Sequence, residues 1–189
     1  MTSPRSHPPV SSLANAFGAA PATTTAYVDA LIAELGDRDP DATLASTPAA
    51  LTAATAGLSE ADARRPERPG KWSVLHVARH LADSDLVSGV RLRMIVSHDR
   101  PEIAGYDQDL FADRLHYLDG TLGEALADHA ALRGMTLRWL GRLSGAERAR
   151  AGMHAERGEE SAERLVRLMA GHDLVHLRQV ARIRAALGV

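Results

Sequence analysis

Apolar residues recur at steps of three and four along most of the chain, the period of helices with one buried face. Tyr27, Leu31, Ile32 and Leu35 form the first such run, closed by Gly36 in the position that follows a helix end. The segment from Asp37 to Ala45 lacks this pattern and predicts a loop. Thr47-Pro48 then reads as a cap followed by proline at the first helical position, with Leu51, Ala54 and Leu58 continuing the helix. Ser59-Glu60-Ala61-Asp62 predicts one more turn, stopped at Arg65-Pro66.

Arg68-Pro69-Gly70-Lys71-Trp72-Ser73 marks a sharp boundary, with Pro-Gly as the turn and Ser73 as a cap. Trp72, just before the cap, can staple onto Val77. The helix predicted from there runs to about Ser97, and His76, His80, Asp83, Val87, Val90 and Met94 fall on one line along it. A short helical pattern with Leu110, Phe111, Leu115 and Leu118 follows Tyr106-Asp107-Gln108-Asp109. Asp119-Gly120 is a turn, and Thr121 with Glu124 fits a capping box. The helix it opens carries Leu122, Leu126, His129, Leu132, Thr136, Leu140 and Leu143, and Ser144-Gly145 ends it. A polar connection from Ala146 to Gly158 precedes the last helix, capped by Ser161 and stopped at Gly188.

Few segments alternate with period two and β-branched runs are missing, so the class is all-α. Four main helices with short accessory ones predict a helical bundle over residues 22–189. Residues 1–21, rich in Ser, Pro and Ala, read as a mobile tail, with His7 solvated in it. The 189 residues carry a net charge of -2, which gives no electrostatic case for nucleic acid or anionic membrane. No apolar run approaches a membrane span, and the N-terminus lacks the pattern of a secretory signal, so the expected location is the cytoplasm. There is no cysteine, which removes disulfides, a thiol nucleophile and thiolate ligands. A metal held by this chain must therefore sit on His, Asp or Glu, a donor set suited to zinc, nickel, iron or manganese.

That restriction gives weight to Gly171-His172-Asp173-Leu174-Val175-His176. His172 and His176 are four apart, one above the other on a helix face. They continue the apolar stripe of Leu165, Met169, Gln179 and Ile183, so they point inward, as His80 does on its own helix. Three neutral imidazoles leave an open position on a metal ion, the arrangement of a catalytic site. The plain alternative is three separate core or rim histidines. Asp83, a turn beyond His80, is a candidate for orienting a ring or taking a proton, and His154 is a candidate proton donor or acceptor. His76 reads as a rim residue, though a two-plus-two site with His80 is open. His129 reads as a satisfied core histidine, and His98 and His116 as surface. The echo of the H-E-x-x-H zinc protease helix is not followed. Asp173 replaces the Glu, and few residues follow His176 to supply a third ligand. Asp173 reads as a carboxylate behind the site or on the surface. Arg91, Arg93 and Arg133 could bind a carboxylate if one of them reaches the pocket.

Gly70-Lys71-Trp72-Ser73, His80-Leu81-Ala82-Asp83-Ser84, Arg91-Leu92-Arg93, Tyr106-Asp107-Gln108-Asp109, and Gly171-His172-Asp173 with His176-Leu177-Arg178-Gln179 together resemble the DinB-like superfamily. It takes in metal-dependent hydrolases of the YfiT type and thiol-dependent transferases. The resemblance covers about Thr24 to Leu187. It implies a four-helix bundle of up-down-down-up connectivity, and a nickel or zinc ion on His80, His172 and His176. It further implies a small-molecule substrate, a low-molecular-weight thiol such as mycothiol as cosubstrate in related members, and a homodimer. The leading expectation is a metal-dependent thiol S-transferase. A hydrolase using metal-bound water, or a non-catalytic metal-binding or stress-associated protein, is the alternative.

Overall fold

The computed structural model describes residues 21–189. The expected tail, His7 included, lies outside them but for Pro21, which opens the first helix. The helices are α1 (Pro21–Leu35), α2 (Pro40–Thr55), α3 (Glu60–Ala63), α4 (Val74–Ser97), α5 (Gln108–Arg114), α6 (Leu122–Leu140), α7 (Gly145–Arg148) and α8 (Ala162–Leu187). Three short strands, β1 (Glu102–Ile103), β2 (Ala151–His154) and β3 (Gly158–Ser161), make one small sheet in the order β1-β2-β3. β1 runs parallel to β2, and β2 pairs antiparallel with β3. Among the described residues no helix is long and apolar enough to cross a membrane.

The bundle is a ring of four helices. α2 packs on α6 and α8, and α4 packs on the same two from the other side. Side-chain pairs give the directions. Arg79 on α4 reaches Glu124 and Asp128 early on α6, and Asp85 meets Arg133 further along both, so α4 and α6 are parallel. Arg148 joins Asp41 on α2 to Glu163 on α8, and Arg184 near the end of α8 donates to the Ala54 carbonyl, so α2 and α8 are parallel too. Leu75 and Val77 early on α4 pack with Val180 and Ile183 late on α8, which sets the two pairs antiparallel. The order is up-down-down-up. Consecutive helices α2 and α4, and likewise α6 and α8, therefore face each other across the ring and need long connections. Those connections hold α3 in one case, and α7 with the β2-β3 hairpin in the other.

Local chemistry sets the ends. Ser73, Thr121 and Ser161 cap α4, α6 and α8 through their side-chain oxygens, and Thr121 with Glu124 closes a full capping box. Gly188 stops α8 in the left-handed conformation, at φ 70°. α1 lies outside the ring against α8, and the contact is close. A Cβ on Gly171 would fall 1.8 Å from the Leu31 carbonyl oxygen, so no other residue fits there. That glycine precedes His172, and it lets α1 close over this part of α8.

Three expectations are corrected here. α2 begins at the Asp39 cap with Pro40 in the first turn, so residues 40–45 are helix, not loop, and Thr47-Pro48 lies inside it. Proline 48 has no N–H for the Leu44 carbonyl, and proline inside a helix normally breaks it. Here the Arg133 guanidinium on α6 takes that carbonyl at 2.9 Å. The connection from 146 to 158 carries α7 and a hairpin, and α6 ends at Leu140, with Ser144 capping α7 instead. On α4 the line through His80 leaves the core: Val90 is exposed, whereas Asp85, Ser88, Leu92 and Ile95 are buried.

Candidate metal centre

His80 from α4 meets His172 and His176 from α8 at the middle of the bundle. The Nε2 atoms of His80 and His176 each lie 3.0 Å from the Nε2 of His172. One ligand atom from each ring lies within 4.8 Å of the other two, and this trio can hold a metal ion. A tetrahedral zinc ion with nitrogens at about 2.0–2.1 Å separates them by roughly 3.3 Å, so the rings are already near that spacing.

The proton inventory favours an ion over a hydrogen-bonded trio. His176 Nδ1 is 2.8 Å from Gln179 Oε1, an acceptor, so it carries the proton and leaves Nε2 as a bare lone pair. A proton on His172 Nε2 can make one good bond, not two. With His176 Nε2 bare, no choice of tautomers makes both 3.0 Å contacts hydrogen bonds. Charging the rings is no escape. Burial pushes His172 down to about 4, burial and then the His172 charge push His176 down to about 3, and burial with both neighbours lowers His80. Three neutral, inward lone pairs suit a borderline divalent cation. His80 Nδ1 is buried with no hydrogen-bond partner among the described residues.

Trp72 closes one side. Its ring lies 4.8 Å from that of His80 and 6.4 Å from that of His176. His76 stacks on its other flank at 6.3 Å and spends Nδ1 on the Ser73 cap, 2.9 Å from the hydroxyl oxygen. A two-plus-two site with His76 is not formed. The open side is a cavity of about 110 Å³ that reaches His172 and is bounded by Arg91, Tyr106, Glu156, Leu165 and Met169 among others.

Behind His172 lies a second buried cluster. Asp173 accepts from Arg133 Nη1 at 2.6 Å, and Asp85 accepts from Arg133 Nη2 at 2.8 Å and Nε at 3.0 Å. Burial opposes ionisation of Asp173, but the Arg133 charge outweighs it and keeps that carboxyl low. Burial raises Asp85 to about 7 against the same guanidinium. His129 is 3.4 Å from Asp85, fully buried, and its ring nitrogens make no hydrogen bond; the expected satisfied histidine is unsatisfied. Arg133 and Asp173 are thus neither at the pocket mouth nor on the surface. Their signal in the sequence was faint: Arg133 is one residue from the apolar line drawn through Leu132.

Asp83 accepts from the Tyr117 hydroxyl at 2.6 Å and borders a shallow outer groove with Arg79 and Gly120, not the cavity at His172. His154 is buried on β2, and its Nδ1 accepts from the Glu156 amide at 3.2 Å, which puts the proton on Nε2. Burial, with Arg157 and Arg91 nearby, pushes this ring down to about 3. It does not border the cavity. Tyr106, in the segment between β1 and α5, and Glu156 and Arg157, in the turn of the β2-β3 hairpin, do, and sequence reasoning passed over them as site residues because that sheet was not foreseen.

The sequence pattern of the DinB superfamily matches residues 43–180. The chain therefore belongs to the DinB superfamily. A protein of Geobacillus thermodenitrificans named "Putative metal-dependent hydrolase" is 30% identical over 98 residues, 52% of this chain and 53% of its own length. The chain thus spans about half of that relative. A Bacillus licheniformis protein with the same descriptive name is 29% identical over 148 residues, covering 77% of this chain and 83% of the relative. The solved structure of YfiT from Bacillus subtilis, titled a probable metal-dependent hydrolase with an unusual four-helix bundle topology, superposes with a TM-score of 0.74. It is 23% identical and covers 79% of this chain and 86% of that one, a likeness in fold.

Proposed function

We propose that this chain is a metal-dependent enzyme acting on a small molecule, with His80, His172 and His176 holding one divalent ion and the reaction a hydrolysis. The observation that carries the reading is the meeting of three uncharged Nε2 atoms at the end of a cavity. The names borne by the relatives support the choice of hydrolysis. A divalent ion in such a site supplies Lewis acidity, to polarise a substrate oxygen or to activate a nucleophile. The chain's own residues do the rest. Gln179 fixes the His176 tautomer, Trp72 closes the site on one side, and the cavity admits substrate from the other. Glu156 is the carboxylate that borders this cavity and is the candidate proton acceptor. Asp83 and His154 enter as supports, the first through Tyr117 and the second through the Glu156 backbone.

Thiol transfer is the second reading. The chain has no cysteine, so the thiol would have to be supplied from outside, as mycothiol is in members that the sequence resembles. One assay separates the two. Metal-loaded protein is given a panel of small esters, amides and electrophiles, with and without a thiol. Hydrolysis that needs the ion but no thiol, is lost on chelation and is restored by metal, is the expected result. Turnover only with added thiol would replace hydrolysis by transfer, and turnover indifferent to chelation and to His172→Ala would remove the metal from the reaction.

A further inference from the structure

We propose that the cavity beside the three histidines takes a small carboxylate on an apolar body, gripped by Arg91. This assigns a substrate class to the metal centre and so rests on the reading above.

Three arginines stood as candidates in the sequence, and their surroundings now differ. Arg133 is spent on two aspartates and a carbonyl. Arg93 donates to the Gly89 carbonyl and lies over the Trp139 ring at 4.8 Å, away from the cavity. Arg91 borders the cavity together with His172. It is 8% exposed, yet among the described residues its one hydrogen bond is from Nη2 to the Ala104 carbonyl at 2.6 Å. Its guanidinium stacks 5.5 Å from the centre of the Tyr106 ring. Among the described residues no carboxylate lies within ion-pair distance of it. A buried guanidinium is normally paired, because taking its charge out of water is costly. The one here has four N–H donors left and faces a cavity.

The rest of the lining selects the anion. Arg157 also borders the cavity but is neutralised, with Nε and Nη2 on the two oxygens of Glu160 at 3.0 and 2.6 Å. Glu156 adds negative charge to the wall. With Glu160 counted, two arginines and two carboxylates balance around the space, so no surplus charge is there for a phosphate dianion, and Arg91 is the guanidinium with no ion pair among the described residues. The planar fork of arginine matches a carboxylate in shape. Val28, Leu31, Leu165, Leu168 and Met169 give the remaining wall an apolar character, and they suit a short hydrocarbon body.

The test uses the metal-loaded full-length protein, with hexanoate, its neutral isostere hexanamide, and inorganic phosphate as probes, read by titration calorimetry. Hexanoate is expected to bind about 10- to 100-fold more tightly than hexanamide, the size of a charge-assisted bond, and more tightly than phosphate. Arg91→Gln is expected to lose that preference while keeping its ion. Equal binding of hexanoate and hexanamide, no detectable hexanoate binding, or tighter binding of phosphate would each overturn the proposal. So would undiminished hexanoate binding by Arg91→Gln, which would put the carboxylate on the ion instead. If the variant folds poorly, the same comparison on chelated wild-type protein decides: a preference for hexanoate that survives metal removal cannot come from the ion, and its loss would overturn the proposal. Metal analysis of the same samples separates the two readings: protein without an ion that still prefers hexanoate keeps the Arg91 site and loses the metal centre.

Discussion

Two buried polar clusters meet at the middle of this bundle, joined through the peptide bond between His172 and Asp173. One is Asp85, Arg133 and Asp173; the other is His80, His172 and His176. The first is complete in itself. Every N–H that Arg133 directs at its neighbours finds an acceptor, including a carbonyl released by Pro48, and the cluster ties α2, α4, α6 and α8 together. The second is incomplete. Its rings bring lone pairs to one point and no charge to balance or bridge them. Similar polarity thus conceals opposite roles: the first cluster is wholly buried, whereas His172 of the second is half-buried and borders the cavity. A polar cluster that satisfies itself is a structural joint, and one whose lone pairs converge on a point can hold an ion.

The largest test of this contrast removes the joint. Arg133→Met leaves two carboxylates and the Leu44 carbonyl without a partner in the core. It should cost about 3–5 kcal/mol in a urea unfolding experiment. Replacing Asp85, Arg133 and Asp173 together by apolar residues of like size should recover most of that loss. A small effect of the single change would mean that the cluster carries little of the fold.

Metal removal comes next. An ion present at about 100 times its dissociation constant stabilises the folded chain by about 2.7 kcal/mol, so chelation should lower the melting temperature by several degrees. Arg133→Met should not abolish metal binding in whatever fraction stays folded. Equal melting with and without chelator would contradict the ion-holding role of the histidines.

Taken ring by ring, acid gives the smallest effect near neutrality. Six histidines are lowered by burial, His129 to about 4 and His154 to about 3 among them. A ring with a depressed folded pKa stays neutral in the native state while the unfolded chain takes up protons. Its contribution is present above about 6.5 and is lost as pH falls toward 4. Asp85, raised to about 7, has the opposite sign and is outnumbered. Stability of metal-free protein should fall from pH 7 to pH 6, each ring contributing less than the limit of about 1.4 kcal/mol per unit. A flat or rising profile would mean that these rings are less buried than described.

The sequence exposed the second cluster far better than the first. An i,i+4 histidine pair on an apolar stripe is a local pattern, and Ser73, Thr121 and Ser161 announced their helices by local capping chemistry. The joint is non-local. Pro48 reads as a helix start because nothing near it in the chain shows that Arg133, far along on another helix, takes up the Leu44 carbonyl. On α4 the line drawn through His80 carried Asp83 into the candidate site. The buried carboxylate is Asp85, since the core-facing side of a long helix drifts from such a line. The β2-β3 hairpin is short and polar, so His154, Glu156 and Arg157 could not be placed before the fold was known. Arg91 was named as one of three arginines, and its distinction lies in what does not surround it.

The central claim is a single ion on three imidazoles. X-ray absorption at the edge of the metal bound by protein purified without a histidine tag tests it most directly. About one ion per chain with three imidazole nitrogens at about 2.0–2.1 Å, falling to two in His80→Ala, is the predicted result. A chain that binds no stoichiometric ion, or an ion whose imidazole count is unchanged by His80→Ala, would contradict it.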